Sequence, residues 1–188
     1  MDTVLLILLG VSLSAASGFR IFVPPLVLSM MAQTTSLDLP ANLAWTDSPV
    51  AIAVFGAATI AEVLSFYIPW VDNILDAVAA PTAVIAGTLM TFAFGAELEP
   101  ALRWSLALIA GGGAAGGVQT LTALTRLGST ATTGGLGNPV VATGENIAST
   151  VLSVLAILFP VFAFVAVIAL LVLAVQRILR WQQRRMTT

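Results

Sequence analysis

Apolar residues fill most of the chain in long stretches that short polar segments interrupt. A membrane-spanning helix needs about 20 mostly apolar residues. On that criterion we predict five spans, near residues 3–33, 49–69, 80–96, 101–126 and 147–178. The first, fourth and fifth stretches are too long for one straight crossing, because about 31 helical residues would reach ~46 Å against a hydrocarbon core of ~30 Å.

Each overlong stretch also contains residues that break or bend helices. These are Gly18 and Pro24-Pro25 in the first stretch, the glycine run of 110–119 in the fourth, and Pro160 in the fifth. We therefore expect broken or strongly tilted helices. The pattern predicts an all-α protein, a polytopic membrane helix bundle with a single transmembrane domain over residues 1–188.

Two local alignments suggest an internal repeat. "AASGFRIF" (15–22) aligns with "AAGGVQTL" (114–121), which sets Gln119 against Arg20, and "AATIAEVLSFYIP" (57–69) aligns with "ASTVLSVLAILFP" (148–160). Repeat 1 would lie near 3–96 and repeat 2 near 101–178. Because an odd number of predicted spans separates the copies, they would be inverted, an arrangement typical of secondary transporters.

Composition supports a membrane protein and narrows its chemistry. Of the 188 residues, 59% are hydrophobic and 9% are charged, whereas a soluble domain carries about 25% charged residues. The net charge is −2, and the chain has no basic patch for nucleic acid. It contains no cysteine and no histidine, which removes disulfides, the usual zinc sites and histidine acid–base catalysis. We expect no enzymatic activity, no catalytic residue, no metal and no bound cofactor.

The positions of the arginines predict an orientation. Four of them follow the last predicted span: Arg177, Arg180, Arg184 and Arg185. Since positive residues favour the cytoplasmic side, we expect a cytoplasmic C-terminus and, with five spans, an N-terminus on the opposite side. Arg103 would then lie on the cytoplasmic side, which agrees with the preference of positive residues for that side. Arg126 would lie on the opposite side, which disagrees with it.

Arg20 is the first candidate site residue, in "SAASGFRIFVPPL". A charge at the centre of a span costs at least about 2.5–3.5 kcal/mol, so Arg20 either reaches the headgroup level or serves a function. Gly18 would permit a backbone break, and a helix restarting at 19–22 would direct unpaired N–H groups to the same place. Such a place suits an anion or a buried carboxylate. Glu62 is the candidate carboxylate, either protonated, paired with Arg20, or facing a wet cavity.

Two further segments carry polar candidates. Asp72 and Asp76 are either a helix cap with a solvated neighbour or a carboxylate pair at the mouth of a pathway. The polar segment 128–146, "GSTATTGGLGNPVVATGEN", is either an extracellular loop or an element that folds back and lines a cavity. Its candidates are Thr133, Gly134, Gly135, Gly137, Asn138, Glu145 and Asn146. The glycine run predicts close helix packing through two pairs, Gly112 with Gly116 and Gly113 with Gly117.

Three segments resemble one family. "SGFRIFVPPLVL", "AEVLSFYIPWVDNILDAVAAP" and "TATTGGLGNPVVATGENIAS" resemble the bacterial membrane-protein family catalogued as domain of unknown function 4126, and the resemblance covers nearly the whole chain. It implies a small polytopic protein of the bacterial inner membrane. It supplies no activity and no substrate.

The residues favour a small transporter or channel-like permease in the lipid bilayer. Arg20 would engage a small anion or a phosphate-bearing lipid headgroup, Glu62 would be a counter-charge or proton carrier, and segment 128–146 would line or gate the site. The short chain suggests a homo-oligomer. The alternative is a non-transporting membrane subunit or assembly factor that docks partner membrane proteins. A lipid-modifying enzyme with Mg²⁺ on Asp72 and Asp76 is the weakest hypothesis.

Overall fold

The computed structural model describes residues 2–35, 37, 39–68 and 71–186, and their side chains except at 71–74, 76–77, 178 and 180–186. All regular structure in this part of the chain is helical, which confirms the predicted all-α bundle. The α-helices are α1 Thr3–Ser17, α2 Val23–Thr34, α3 Pro49–Ser65, α4 Val71–Phe94, α5 Pro100–Leu106, α6 Gly113–Thr133, α7 Asn138–Leu158 and α8 Pro160–Met186, with a 3₁₀ helix at Ala41–Thr46 and a π-helical turn at Ala107–Gly112.

Three helical segments of the described chain are long and apolar enough to cross a membrane: Pro100–Thr133, Asn138–Leu158 and Pro160–Arg177. Shorter apolar helices lie at Thr3–Ser17, Pro49–Ser65 and Val78–Phe94. The predicted division into five spans is therefore only approximate. The first and fifth stretches each contain two helices that run in opposite directions.

The first stretch forms a helical hairpin. After α1 ends at Ser17, α2 turns back, and its Leu28 joins the same hydrophobic cluster as Leu9 and Leu13 of α1. Gly18 lies at the break as expected, but for a different reason. Its φ of −68° is ordinary helical backbone, whereas a Cβ on Gly18 would meet the carbonyl oxygen of Ala115 and lie 2.7 Å from Val118 Cβ. Gly18 thus permits the close approach of α6.

The fifth stretch reverses at Pro160. Ser149 Oγ of α7 donates to the carbonyl oxygen of Ala16 at 2.9 Å, and α7 then runs back along α1. Ala163 and Val167 of α8 lie in successive clusters along α1, so α8 runs in the direction of α1. Because Pro160 has no N–H to continue α7, the chain folds there into an antiparallel pair.

The glycine run brings α6 and the π-helical turn against α4. A Cβ on Gly112 would lie 2.6 Å from Thr88 Oγ1, and one on Gly116 would lie 2.8 Å from Val84 Cγ2. The prediction that these two glycines permit close helix packing is confirmed. For the second pair the prediction was wrong at Gly113, which has no such neighbour within 4 Å, whereas a Cβ on Gly117 would lie 3.1 Å from Leu171 Cδ2.

The bundle has two ends, which we name by Pro160 and Arg177. A groove between α6 and α8 is lined by Leu121 with Leu170 and by Thr125 with Ala174 and Arg177, so α6 and α8 run in parallel and Arg126 lies toward the Arg177 end. Arg103 lies beside the end of α4 at the Pro160 end, where its Nε donates to the carbonyl oxygen of Phe92 at 2.8 Å. The predicted positions of Arg103 and Arg126 relative to the end of the last span were wrong, because the reversal at Pro160 was not expected.

The helix directions do not fit the proposed inverted repeat. α1 and α6, aligned in the first pair, run in the same direction, since both pack antiparallel to α4. In the second pair, α3 packs antiparallel to α2 and so runs with α1, whereas α7 runs against α1. No single symmetry axis relates both aligned pairs.

Candidate functional site

Two arginines share one glutamate inside the bundle, near the Arg177 end. Arg126 of α6 forms a two-pronged ion pair with Glu145 of α7, with 3.0 Å between Nε and Oε1 and with Nη2 on Oε2. Arg20, in the turn between α1 and α2, places its Nη2 3.0 Å from the same Oε2. Their exposed fractions are 1% for Arg20, 3% for Arg126 and 5% for Glu145. The ion pairs are therefore shielded from solvent, where charge interactions are strong.

Further contacts fix the guanidinium group of Arg20. Its Nε donates to Oδ1 of Asn146 at 2.5 Å, and its Nη2 donates to the carbonyl oxygen of Ala142 at 3.3 Å. Asn146 and Ala142 both belong to α7, as does Glu145. One face of α7 therefore holds Arg20 in place.

Phe66 contacts both arginines. The guanidinium carbon of Arg20 lies 3.9 Å from the ring centroid, and that of Arg126 lies 4.1 Å from it. Phe66 follows the last residue of α3 and is buried. A cation over an aromatic face is stabilised by the ring quadrupole, most strongly when water is excluded, so Phe66 helps both charges to stay in the interior.

Glu62 binds backbone rather than Arg20. Its Oε1 accepts from the N–H of Ile21 at 2.8 Å, and its Oε2 accepts from the N–H of Phe22 at 3.0 Å. These groups precede α2, where N–H donors have no partner within the helix. The expected positive helix end is therefore present, but Glu62 occupies it. Of the three alternatives for Glu62, the direct pair with Arg20 was wrong, and the ion-pair partner of Arg20 is Glu145.

The four charged groups balance when both carboxylates are ionised. Arg20 and Arg126 contribute two positive charges, while Glu145 and Glu62 contribute two negative ones. Glu62 acts electrostatically on Arg20 although no direct bond joins them. We call these four residues the buried quartet. If either carboxylate is neutralised or displaced, the buried quartet has a surplus positive charge that an anion can neutralise.

Helical spacing brings the polar residues of α6 and α7 to the interior. The buried residues of α6 include Gln119, Thr122 and Arg126, three and four positions apart. Those of α7 include Asn138, Glu145, Ser149 and Ser153, at spacings of seven, four and four. Residues at such spacings share one helix face. The two faces meet, and Arg126 and Glu145 are the charged residues at their contact.

The polar segment 128–146 is not a loop. α6 continues to Thr133, and α7 begins at Asn138, with a tight turn between them. Gly134 and Gly135 have φ values of 64° and 91°, which favour glycine, and a Cβ on Gly137 would lie 2.6 Å from Ser129 Oγ. The prediction of a loop was wrong, because the glycines close a tight turn between two helices, whereas Val141, Gly144 and Glu145 of the segment do line a groove.

The polar residues of this turn bond to one another. Thr133 Oγ1 donates to the carbonyl oxygen of Ser129 and accepts from the N–H of Gly137 at 2.9 Å. Asn138 Nδ2 donates to Thr130 Oγ1 at 3.2 Å. Gln119 is buried on α6, on the helix face of Arg126 but about two turns before it. The structure thus brings Arg20, Glu145 and Asn146 together, and it leaves Thr133, Asn138 and Gln119 outside the buried quartet.

Asp72 and Asp76 lie in the first two turns of α4, and their side chains fall outside the described residues. Since α4 begins at Val71, Asp72 is inside the helix rather than at the cap position that we predicted. Among the described residues, no group of three or more histidine, cysteine, aspartate or glutamate side chains could hold a metal ion.

Sequence reasoning missed Arg126 and Phe66 as site residues. The signal for Arg126 was its position seven residues after Gln119 and four after Thr122, which makes a polar stripe on one helix face. Phe66 carried no signal, because a phenylalanine next to an apolar helix is ordinary. Only the fold shows that it contacts two arginines.

A groove leads from the bundle surface to Glu145. It has a volume of about 370 Å³ and is lined by residues of α6, α7 and α8 together with Phe19. Its lining includes Glu145 and Thr122 next to apolar side chains. The groove therefore adjoins the buried quartet at Glu145.

A model of the family described as domain of unknown function 4126 matches residues 7–180. The chain belongs to this family. No curated protein and no solved structure matches it. The matched range of this family member contains all of the buried quartet and reaches from α1 into α8, so the cluster lies within the family's domain.

Proposed function

We propose that the protein is a membrane permease that carries an anion, either a small solute or a phosphate-bearing lipid headgroup, together with a proton. The observation that carries this proposal is the buried quartet. Two arginines converge on one carboxylate beside a groove, in a bundle with membrane-spanning helices. Intramembrane ionisable residues that face a bundle interior commonly mark substrate and proton pathways.

In this mechanism Glu145 occupies the anion site when no substrate is bound. Its two oxygens take the donors of Arg126 and one from Arg20, which is the arrangement that a substrate carboxylate or phosphate would also need. A bound anion would replace Glu145 between the arginines. Phe66 would keep both guanidinium groups in position during the exchange.

Glu62 would supply the proton coupling. When a monovalent anion displaces Glu145, the two positive arginines face three negative groups. These are Glu62, the bound anion and the released carboxylate of Glu145. An uncompensated buried charge is unfavourable by several kcal/mol, so one carboxylate must take up a proton when the anion enters. We therefore expect one proton to move with each monovalent anion, and the transport to be electroneutral.

We further propose that the protein lies in a bacterial inner membrane with its C-terminus in the cytoplasm. Arg177 follows the last apolar stretch and Arg126 lies toward the same end of the bundle, which increases the number of positive residues on that side. The buried quartet would then lie in the cytoplasmic half of the membrane.

Proton-coupled flux in proteoliposomes tests the permease. A pH-sensitive dye inside the vesicles reports proton entry after an inward gradient of phosphate, methanesulfonate or an alkyl phosphate is applied. We expect acidification with the wild-type protein, and loss of it in Glu62→Gln and Arg126→Gln. Arg103→Gln is the matched control, since Arg103 also stacks on a phenylalanine, Phe92, at the opposite end of the bundle.

A second candidate is the non-transporting subunit. The arginines of the buried quartet have satisfied partners and almost no exposure, as a purely structural cluster would. If wild-type vesicles show no acidification under any of the three gradients, or if folded Glu62→Gln and Arg126→Gln proteins keep the wild-type rate, the permease is refuted and the structural role is favoured.

A further inference from the structure

The groove next to Glu145 adjoins a second groove. It shares Leu121, Thr125 and Leu170 with this second groove of about 430 Å³ between α6 and α8. The second groove extends to Arg177. The two grooves adjoin along these shared residues, and we call them together the α6–α8 groove, with Arg177 lining one end and Glu145 the other.

The walls of the α6–α8 groove are mostly apolar. Phe19, Leu121, Val141 and Leu170 line the part near Glu145, and Leu124 and Leu173 line the part near Arg177. The polar lining consists of Thr122 and Thr125 along the way, with one charged group at each end. A hydrated inorganic anion would lose its water in this groove without gaining hydrogen bonds that replace it.

The charges at the ends indicate the polarity of the ligand. Arg177 is an exposed cation at the mouth, and the inner end is lined by Glu145, whose carboxylate is paired with two arginines. An anionic head with an attached hydrocarbon chain matches both features, because the arginines bind the head and the leucine-lined walls bury the chain.

We propose that the ligand of the buried quartet is an amphiphilic phosphate, a lipid whose phosphate head replaces the carboxylate of Glu145 and whose chain lies in the α6–α8 groove. This inference rests on the proposed function, since it names the class of anion that the permease takes. Arg177 attracts the head at the membrane surface, and the head then moves along the groove to Arg126 and Arg20. The bilayer supplies such a ligand laterally, so no aqueous pore is needed.

Two glycines allow a matched test of the groove. Gly144 lines it, and a Cβ on Gly144 would meet nothing within 4 Å, so Gly144→Leu fills the groove without a clash at Cβ. Gly128 lies in α6, also has nothing within 4 Å, and does not line the groove. Gly128→Leu therefore controls for the effect of adding a leucine to a helix.

The experiment measures binding of dodecyl phosphate to the purified full chain in a neutral maltoside detergent, through the rise of its unfolding temperature with ligand concentration. We expect dodecyl phosphate to stabilise the wild type and the Gly128→Leu protein, and inorganic phosphate to have no effect. In Gly144→Leu we expect the dissociation constant for dodecyl phosphate to rise by about tenfold. This corresponds to the lost burial of about two CH₂ groups. Arg177→Gln is expected to weaken binding less than Gly144→Leu.

The outcomes separate this inference from the permease. If inorganic phosphate stabilises the protein as well as dodecyl phosphate does, or if Gly144→Leu binds like Gly128→Leu, the amphiphilic ligand is refuted while a permease for small anions can still stand. If binding depends on the groove but vesicles show no proton-coupled flux, the ligand class is supported and the permease is refuted.

Discussion

Arg20 and Arg126 contact the same carboxylate, that of Glu145, and the same aromatic ring, that of Phe66. Both guanidinium groups are within hydrogen-bond distance of Glu145 Oε2, and both lie near 4 Å from the centroid of Phe66. Two like charges this close repel each other strongly in a medium of low dielectric constant. The arrangement therefore depends on Glu145 and Phe66, and removing either one tests a different part of it.

Removing the charge of Glu145 should destabilise the fold more than removing that of Arg126. Arginine remains protonated in proteins, so Glu145→Gln leaves two buried cations with Glu62 as their remaining counter-charge, and the surplus positive charge cannot be lost. Arg126→Gln leaves a surplus carboxylate, which a proton can neutralise. We expect Glu145→Gln to lower the free energy of unfolding by about 3–5 kcal/mol and Arg126→Gln to lower it by clearly less.

Unfolding by a denaturing detergent in micelles measures this difference. Glu97→Gln is the control, since Glu97 is exposed near the Pro160 end of the bundle and its charge compensates no buried arginine. If Arg126→Gln proves as destabilising as Glu145→Gln, the two arginines do not depend on a shared counter-charge.

Phe66→Leu should lower the free energy of unfolding about twice as much as Phe92→Leu does. Phe66 contacts two guanidinium groups, whereas Phe92 contacts that of Arg103, at 3.7 Å from its ring centroid. A desolvated cation–π contact contributes up to about 2 kcal/mol. The loss in Phe66→Leu relative to Phe92→Leu, measured by the same unfolding assay, should therefore correspond to one additional contact. Equal losses would show that the ring acts only by its volume.

The sequence was sufficient to predict the fold class and the breaks in the first and fifth stretches, whereas the glycine run of the fourth stretch stays helical through its π-helical turn. Long apolar stretches require helices in a membrane, and Gly18 and Pro160 interrupt two of them where the helices end. It was not sufficient to predict the direction of the chain after a break. A kinked crossing and a hairpin have the same apolar pattern, and only contacts such as that of Leu28 with Leu9 and Leu13 distinguish them.

The candidate site was predictable in its residues but not in its pairs. The cost of a charge inside a membrane identified Arg20 and Glu62, and both lie in the buried quartet. Their partners could not be predicted, because Glu145 and the N–H groups of Ile21 and Phe22 come close only after the helices pack. Arg126 shares a helix face with Gln119 and Thr122, but only the packing of α6 against α7 shows that this face meets Glu145.

Glu62→Gln should loosen the start of α2. The carboxylate accepts from the N–H groups of Ile21 and Phe22 with two oxygens, whereas glutamine has one acceptor oxygen and no charge. We expect faster hydrogen exchange in the peptide that contains these amides. Glu99→Gln is the matched control, because Glu99 caps α5 through the N–H of Leu102 and its loss should affect only that helix. Unchanged exchange at Ile21 and Phe22 would show that α3 does not hold the hairpin turn.

Adding one methyl group at Gly18 or at Gly113 should have opposite effects. Gly18→Ala places a Cβ against the backbone oxygen of Ala115 and 2.7 Å from Val118 Cβ, and a backbone atom cannot move aside like a side chain. Such overpacking costs about 1–3 kcal/mol or more, and it would also displace the turn that carries Arg20. Gly113→Ala meets nothing within 4 Å and should stabilise α6 by about 0.5–1 kcal/mol. Unfolding of both proteins in one detergent measures whether each substitution lowers or raises the free energy of unfolding. An unchanged stability of Gly18→Ala would mean that α1 and α6 are farther apart than the structure places them.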